Sequence, residues 1–290
     1  MTPVVAVIAP GAMGAAVGKR LVDNGLKVLT SLEGRSPDTQ ARAKAAGMAG
    51  ASDEEIASSD FILSILPPGD ALSLVHHFAP ALTASNAKPV YVDCNAINPK
   101  TVERVAAAIA PTGCPFADAG IIGQPPTPLP QAGQGRVGGS PRFYTSGAAA
   151  RRFATLRDYG LDIRVLDGAM SAASALKMSY AGITKGTQAI GAAMMLAATR
   201  AGNADDLFAE LQSSQKEMFA WFKRQISMMP PKAYRWVAEM HEIAGFVGED
   251  PTAHELYEGA AHFYERIAAD FESDKKDTAA LQAFLGKTPT

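Results

Sequence analysis

The chain is poor in cysteine, in surplus charge of either sign and in long apolar runs, and each shortage narrows its class. Cys94 and Cys114 are the only cysteines; two such isolated residues make neither a disulfide framework nor a zinc-type spacing, which suits a reducing cytoplasm. Lys and Arg number 27 against 29 Asp and Glu, for a net charge of −2. A nucleic-acid partner is therefore not expected, because neutralising phosphates requires a basic surface. The longest apolar run, Ala189–Ala198, is about half of what a bilayer requires, and Lys177, Lys185 and Gln188 interrupt the residues before it, so no membrane span is expected. The opening MTPVVAVIAPG has no basic segment ahead of its apolar residues, so no signal peptide is expected. No metal is expected either: His254, Glu258 and His262 recur every fourth residue, but without a further cluster they read as a solvated helix face. With 47% hydrophobic residues in 290, there is material for one or two packed cores.

What is present begins with Val4–Ile8, a continuous β-branched run typical of a strand covered on both faces in a parallel sheet. Ala9-Pro10-Gly11-Ala12-Met13-Gly14 follows at once and opens a helix of small residues that runs to about Asn24. Strand, glycine turn and helix are the dinucleotide-binding arrangement: a glycine admits the pyrophosphate, and the helix N-terminus offers free N–H groups and a positive dipole. Ala9 stands where the usual pattern has its first glycine. The competing reading is a tight turn that binds nothing. The second strand, Lys27–Leu32, bears on which nicotinamide nucleotide is taken. An acidic residue at its end would accept the ribose hydroxyls of NAD and repel a 2′-phosphate, which favours arginine. Here Thr30-Ser31-Leu32-Glu33-Gly34-Arg35-Ser36 puts hydroxyl residues at the strand end and an arginine on the loop, with Ser31, Arg35 and Ser36 as the ligands of an NADP phosphate. Glu33 keeps NAD open, and Arg35 as a plain solvated residue is the alternative.

Further strands are expected near Met48, at Phe61–Leu66, Val90–Asp93, Pro115–Ala119, Arg142–Ser146 and Ile163–Leu166, alternating in the first part with helices at Pro37–Ala46 and Asp53–Ser58. Loops after parallel strands line the ligand crevice, which assigns Leu66, Pro67 and Pro68 to cover the cofactor and points Asn95 inward. Asn98 and Pro99 read as the cap and first residue of a helix. A Pro- and Gly-rich stretch covers Gln124–Gly139. From Ala169 to Arg200 the chain lacks proline and is rich in Ala, Met and Gly, which reads as one long helix whose small residues let other helices approach closely. Beyond Gly202 everything is helical: Asp205–Arg224, Pro231–Ala244 and Pro251–Ser273. Arg235 with Glu239, and Trp236 with Met240, are spaced to pair along the second of these. The fold class is thus α/β, an N-terminal Rossmann-type doubly wound sheet over residues 1–166, joined by the long helix to an all-α domain over 167–290.

The order APGAMG after the first strand, LPPGDA after the fourth, DCNAINP after the fifth, DAGIIGQPP after the sixth, and a lysine early in a long helix resembles the β-hydroxyacid dehydrogenases and their relative 6-phosphogluconate dehydrogenase. The resemblance covers the whole chain; the stretches ASALKMSYAGITKG and AYRWVAEMHEIA look like a poorly characterised subgroup. It implies hydride transfer between a nicotinamide and the alcohol carbon of a small 3-hydroxy acid or sugar acid, with Lys177 as general base in oxidation and general acid in reduction. A lysine desolvated on an apolar helix has its pKa lowered toward the working pH, which suits that exchange; snorkelling to solvent is the alternative. Three departures bear on the substrate. Asn95 replaces a serine beside the nicotinamide, Ile122-Gly123-Gln124 replaces a serine and two glycines of the substrate loop, and Ala181 replaces an asparagine one turn after the lysine. Tyr180, Thr184 and Lys185 lie within two turns and compensate in this reading, Lys185 as a second positive charge for an acidic substrate.

The rivals are imine reduction, in a related group that replaces the lysine with Asp or Tyr, and a non-catalytic NADP-binding redox sensor; Lys177 speaks against both, and Tyr180 keeps the first open. A purely structural helical scaffold leaves the glycine turn unexplained. The resemblance also implies a homodimer through the helical domain. In such a dimer Arg235, Trp236, Glu239 and Met240 either reach a neighbour's crevice or simply pack their own helix.

Overall fold

A computed structural model describes residues 2–126 and 140–287, so most of the Gln124–Gly139 stretch lies outside the described residues. The chain divides into two compact units, Met1–Lys177 and Met178–Thr290.

Among the described residues of the first unit, eight strands form one sheet: β1 (Val4–Ile8), β2 (Lys27–Thr30), β3 (Ala49–Gly50), β4 (Phe61–Ser64), β5 (Val90–Asp93), β6 (Phe116–Ile122), β7 (Arg142–Ser146) and β8 (Asp162–Val165). Their spatial order is β3-β2-β1-β4-β5-β6-β7-β8, parallel from β3 through β6, with β7 antiparallel to β6 and parallel to β8. The strand order reverses beside β1, which pairs with β2 on one side and β4 on the other; this is the switch point at which open α/β sheets bind ligands. The central strands are buried on both faces, as their unbroken apolar sequences require. One face is covered by α1 (Ala12–Asp23), α2 (Pro37–Ala45) and α6 (Ala150–Phe153), through Val17, Leu21, Ala43 and Phe153. The other is covered by α3 (Asp53–Ala57), α4 (Ala71–Ala84) and α5 (Pro99–Ile109), through Ile56, Val75, Phe78, Val102 and Val105. Asn98 caps α5 as expected, its carboxamide oxygen accepting from the Thr101 N–H at 3.0 Å.

One boundary differs in a way that touches the site. β6 continues through Gly120-Ile121-Ile122 rather than ending at Ala119, because antiparallel pairing with β7 carries the ladder on to Ile122 opposite Arg142.

The long helix α7 runs over Ala172–Ala201. The division between the two compact units falls within it, after Lys177. Its first turns belong to the sheet unit because Gly120 lets them approach: a Cβ there would lie 2.9 Å from both the Ala173 carbonyl oxygen and the Lys177 Cβ.

The second unit contains the rest of α7 with α8 (Ala204–Ser214), α9 (Lys216–Ile226), α10 (Ala233–Phe246), α11 (Pro251–Glu272) and α12 (Lys276–Leu285). Small residues on α7 act as anticipated. A Cβ at Gly182 would meet the Tyr257 hydroxyl of α11 at 2.9 Å, and one at Gly191 would meet the Phe222 ring of α9 at 2.6 Å. The expected single helix Asp205–Arg224 is two helices, broken at Gln215. The break lets Phe208 and Phe219 meet edge to face at 5.2 Å, with Phe284 of α12 completing the cluster. α12 carries no start signal of its own; its cap is the Asp270 carboxylate of α11, which accepts from the Asp277 and Thr278 N–H groups at 2.8 Å. Among the described residues no helix is long and apolar enough to cross a membrane.

Candidate active site

The glycine turn sits at the C-terminal end of β1. Ala9 adopts a left-handed backbone, φ +64°, and its carbonyl accepts from the Gly11 N–H at 2.8 Å. Gly14 is obligatory, since a Cβ there would lie 2.4 Å from that same carbonyl oxygen. Gly11 caps α1 with no side-chain hydrogen bond, no acidic residue stands in the first turn, and a Cβ at Gly11 would enter open space. An uncapped, acid-free helix N-terminus behind an open glycine is complementary to a dinucleotide pyrophosphate, so Ala9, Pro10, Gly11, Ala12, Met13 and Gly14 fit that group. Arg42, which no sequence signal singled out, donates from Nε to the Pro10 carbonyl at 3.2 Å and from Nη2 to Thr39 Oγ1 at 3.0 Å. It pins α2 to the turn.

At the end of β2, the Thr30 hydroxyl is enclosed, while Arg35 and Ser36 are exposed and Ser31 is half-buried. The Ser36 hydroxyl is engaged as the cap of α2, accepting from the Thr39 N–H at 3.3 Å and donating to Thr39 Oγ1 at 3.1 Å.

Asn95 does not project into the crevice as the sequence suggested; it is 2% exposed and its carboxamide is fully engaged. Oδ1 accepts from the Leu66 N–H at 2.6 Å, and Nδ2 donates to Ser64 Oγ at 2.9 Å and to Asp93 Oδ2 at 3.0 Å. Its role here is to tie the Leu66-Pro67-Pro68 turn to the ends of β4 and β5, which its position in the sequence alone did not reveal. Pro67 is exposed on that turn and Pro68 is buried beneath it.

The register aligns Ser64, Asp93, Asp118 and Ser146 across β4, β5, β6 and β7, forming a polar row with no solvent exposure. Asp118 anchors the start of α7. Its Oδ2 accepts from the Ser174 N–H at 2.8 Å, its Oδ1 accepts from Ser174 Oγ at 2.6 Å, and Ser146 Oγ lies 3.4 Å from its Oδ2. Ser146 Oγ in turn accepts from the Ala173 N–H at 2.9 Å and donates to the Met170 carbonyl at 2.8 Å. Burial raises the Asp118 pKa to about 6 against the opposing pull of these hydrogen bonds. Burial, with the charges of Asp93 and Asp118 behind it, also pushes the Cys94 thiol well up, which makes it a poor nucleophile.

One turn beyond Ser174, Lys177 Nζ donates to the Ile121 carbonyl at 2.8 Å, near the C-terminal end of β6. Ile122, Gly123 and Gln124 follow directly after that carbonyl, with Gly123 at φ +127° and Gln124 exposed. The structure thus brings the lysine to the strand that the departing substrate-loop residues extend.

Tyr180 and Lys185 lie in the second unit. Tyr180 is half exposed. Lys185 is not a spare positive charge: at 14% side-chain exposure it pairs with Glu239, also at 14%, and stands over the Trp236 ring at 5.1 Å. An ion pair neutralises both partners, which removes the electrostatic reason for giving Lys185 an acidic substrate. Glu239 therefore pairs across to α7 rather than along α10 with Arg235, which lies over the Tyr234 ring instead. Trp236 packs edge to face on Tyr264, and Met240 is fully buried. His254 meets the Ala244 carbonyl and Glu258 meets His241, each at 3.0 Å; among the described residues no group of three His, Cys, Asp or Glu side chains forms a metal site.

Residues 4–147 match the family model described as the NAD binding domain of 6-phosphogluconate dehydrogenase, and residues 198–267 match a domain of unknown function (DUF1932). An uncharacterised 28.5 kDa protein of Methanothermus fervidus is 26% identical over 196 residues, covering 67% of this chain and 70% of the relative. Among solved structures, conserved protein MTH1747, of unknown function and described as similar in structure to 3-hydroxyacid dehydrogenases, superposes with a TM-score of 0.67 at 28% identity, covering 96% of this chain and 99% of that one. The 3-hydroxyisobutyrate dehydrogenase of Mycobacterium tuberculosis, with L-serine, superposes at 0.65 and 20% identity, covering 98% and 99%, a likeness of fold.

Proposed function

The chain belongs to the superfamily of 6-phosphogluconate dehydrogenase and 3-hydroxyisobutyrate dehydrogenase, and from that premise we propose that it is an NADP-preferring oxidoreductase acting on the alcohol carbon of a small 3-hydroxy acid or sugar acid. The observation that carries the reading is Lys177 Nζ held on the Ile121 carbonyl, near the C-terminal end of a strand in the sheet that bears the uncapped glycine turn. Bound nicotinamide supplies the hydride acceptor in oxidation and the donor in reduction. The chain supplies the proton transfer: Lys177 as a neutral amine removes the alcohol proton, and as an ammonium returns it to the carbonyl oxygen. Asn95 holds the Leu66 turn in place, and the residues from Ala9 to Gly14 hold the pyrophosphate. The preference for NADP rests on Arg35, exposed after β2, and on the absence of a carboxylate at the strand end itself.

The test is twofold. Melting is followed with NADP and with NAD, where a ligand at 100 times its Kd stabilises by about 2.7 kcal/mol; the larger rise is expected with NADP. Initial rates are then measured against 3-hydroxy acids, sugar acids and cyclic imines for wild type and Lys177→Ala. Turnover of a hydroxy acid that Lys177→Ala loses by about a thousandfold or more supports the reading. Turnover of imines alone, or indifference to Lys177→Ala, overturns it.

The same reading includes a homodimer formed through the helical unit. Its support is an apolar stripe of Ile183, Ile190 and Met194, which share one side of α7 and are 69%, 55% and 59% exposed. Sedimentation is expected to show a dimer; a monomer at micromolar concentration would remove the idea.

A further inference from the structure

Nothing in the hydride-transfer reading uses the buried polar row of the sheet, and one of its members, Asp118, binds Ser174, one helical turn before the proposed proton donor. A lysine that moves a proton must hold its amine within a fraction of an ångström of one place, yet its four-carbon stem is flexible. The constraint has to come from the backbone that carries it. At the start of α7 two groups from the sheet, not from the helix's own sequence, close the helix: the Asp118 carboxylate takes the Ser174 N–H and hydroxyl, and the Ser146 hydroxyl takes the Ala173 N–H. On the same face Gly120 brings the Lys177 Cβ against β6, and the Ile121 carbonyl receives its ammonium. Asp118, Gly120 and Ile121 are thus near neighbours on one strand, and they grip Ser174 and Lys177, which are neighbours on one helix.

We propose that Asp118 is the positioning residue for Lys177: by clamping the first turn of α7 to β6, it sets where the Lys177 amine stands relative to the end of the sheet. The clamp acts as a unit with Ser174 and Ser146, and it does not touch substrate or cofactor. A helix cap in its ordinary sense would stabilise the protein and leave the lysine's chemistry unchanged. A clamp makes the amine's environment depend on Asp118.

The inference rests on Lys177 as the proton-transferring group, so the experiment reads both separately. The apparent pKa of the Lys177 amine is obtained from the pH dependence of its acetylation rate by acetic anhydride, followed by peptide mass spectrometry, with surface Lys19 as the internal control. Wild type, Asp118→Asn, Asp118→Ala and Ser174→Ala are compared, together with their turnover and their affinity for NADP. In Asp118→Ala the Lys177 acetylation profile shifts while that of Lys19 does not, kcat falls about 10- to 100-fold, and NADP affinity stays within about twofold. Asp118→Asn, which keeps one accepting oxygen, recovers part of the loss. Ser174→Ala removes a single hydroxyl and gives a smaller shift in the same direction; it decides the matter if Asp118→Ala does not fold. An unchanged Lys177 profile and kcat in the folded Asp118 variants, or in Ser174→Ala where those do not fold, overturns the clamp. Full turnover in Lys177→Ala instead overturns the catalytic reading, while the acetylation profile still reports whether Asp118 places the amine.

Discussion

Ala9 shows how one residue answers to a local backbone geometry. The turn needs a left-handed residue at that position, φ +64°, so that the chain reverses into α1 and presents the N–H groups of its first turn. An L-residue there costs about 1–2 kcal/mol relative to glycine, partly offset by glycine's greater freedom in the unfolded chain. Ala9→Gly is therefore expected to stabilise the protein by roughly 0.5–1 kcal/mol in denaturant unfolding, with NADP affinity unchanged; a destabilised variant would mean that the alanine methyl makes a contact that matters. Asp118 gives the second prediction at this scale. Its carboxyl has a folded pKa of about 6, raised by burial above the ordinary value of 3.8. The groups facing it are Ser174 on α7, Ser146 on β7, and Asp93 and Cys94 at the end of the neighbouring strand. Because the native state holds this proton more tightly than the unfolded chain, the contribution is fully present below about pH 4 and is lost as pH rises to 6, by at most about 3 kcal/mol. Unfolding free energy measured across that window should fall with pH by less in Asp118→Asn than in wild type; an unchanged slope would assign the titration to another group.

Two elements owe their placement to contacts distant in sequence. α7 was legible as a long helix from its composition alone, and its small residues do accept Tyr257 and Phe222 as close neighbours. What its sequence lacked was its docking. Gly120, which reads as part of a loop, is a strand residue whose missing side chain admits the helix. Gly120→Ala places a methyl 2.9 Å from a backbone oxygen and from the Lys177 stem, a degree of overpacking expected to cost about 1–3 kcal/mol. The melting temperature should drop, and turnover should drop with it because the lysine is displaced; loss of stability with full turnover would separate the two. Similarly, α12 was invisible because its cap is Asp270, on the preceding helix, rather than a residue at its own start.

At the scale of the whole molecule, the chain is a sheet unit that carries the dinucleotide signature and a helical unit that holds a part-buried ion pair. In the helical unit Lys185 and Glu239 are each 14% exposed, with Trp236 beside the lysine and the Tyr264 hydroxyl donating to the Lys185 carbonyl at 2.6 Å. Removing one partner leaves the other part-buried charge less well compensated, at a cost of up to about 3–5 kcal/mol, whereas replacing both by apolar groups of similar size is closer to neutral. Lys185→Met is thus expected to destabilise more than the double variant Lys185→Met, Glu239→Leu. Unfolding free energies from a double-mutant cycle check this, and additive losses would show that the pair is not coupled.

The sequence by itself determined the order of strands and helices in the sheet unit, the glycine turn, the long helix and the all-helical remainder, because each is written in local periodicity and in residues whose backbone preferences act within a few positions. It also carried the family, through short motifs in a fixed order. Tertiary structure alone decided which polar side chains are engaged: that Asn95 binds the Leu66 turn, that Lys185 belongs to Glu239, that Arg42 reaches the Pro10 carbonyl, and that Asp118 closes α7. The physical reason is that a buried polar group is governed by its hydrogen-bond partners. For these residues the partners lie on other strands or helices, or were chosen by the packing among several equally near in sequence.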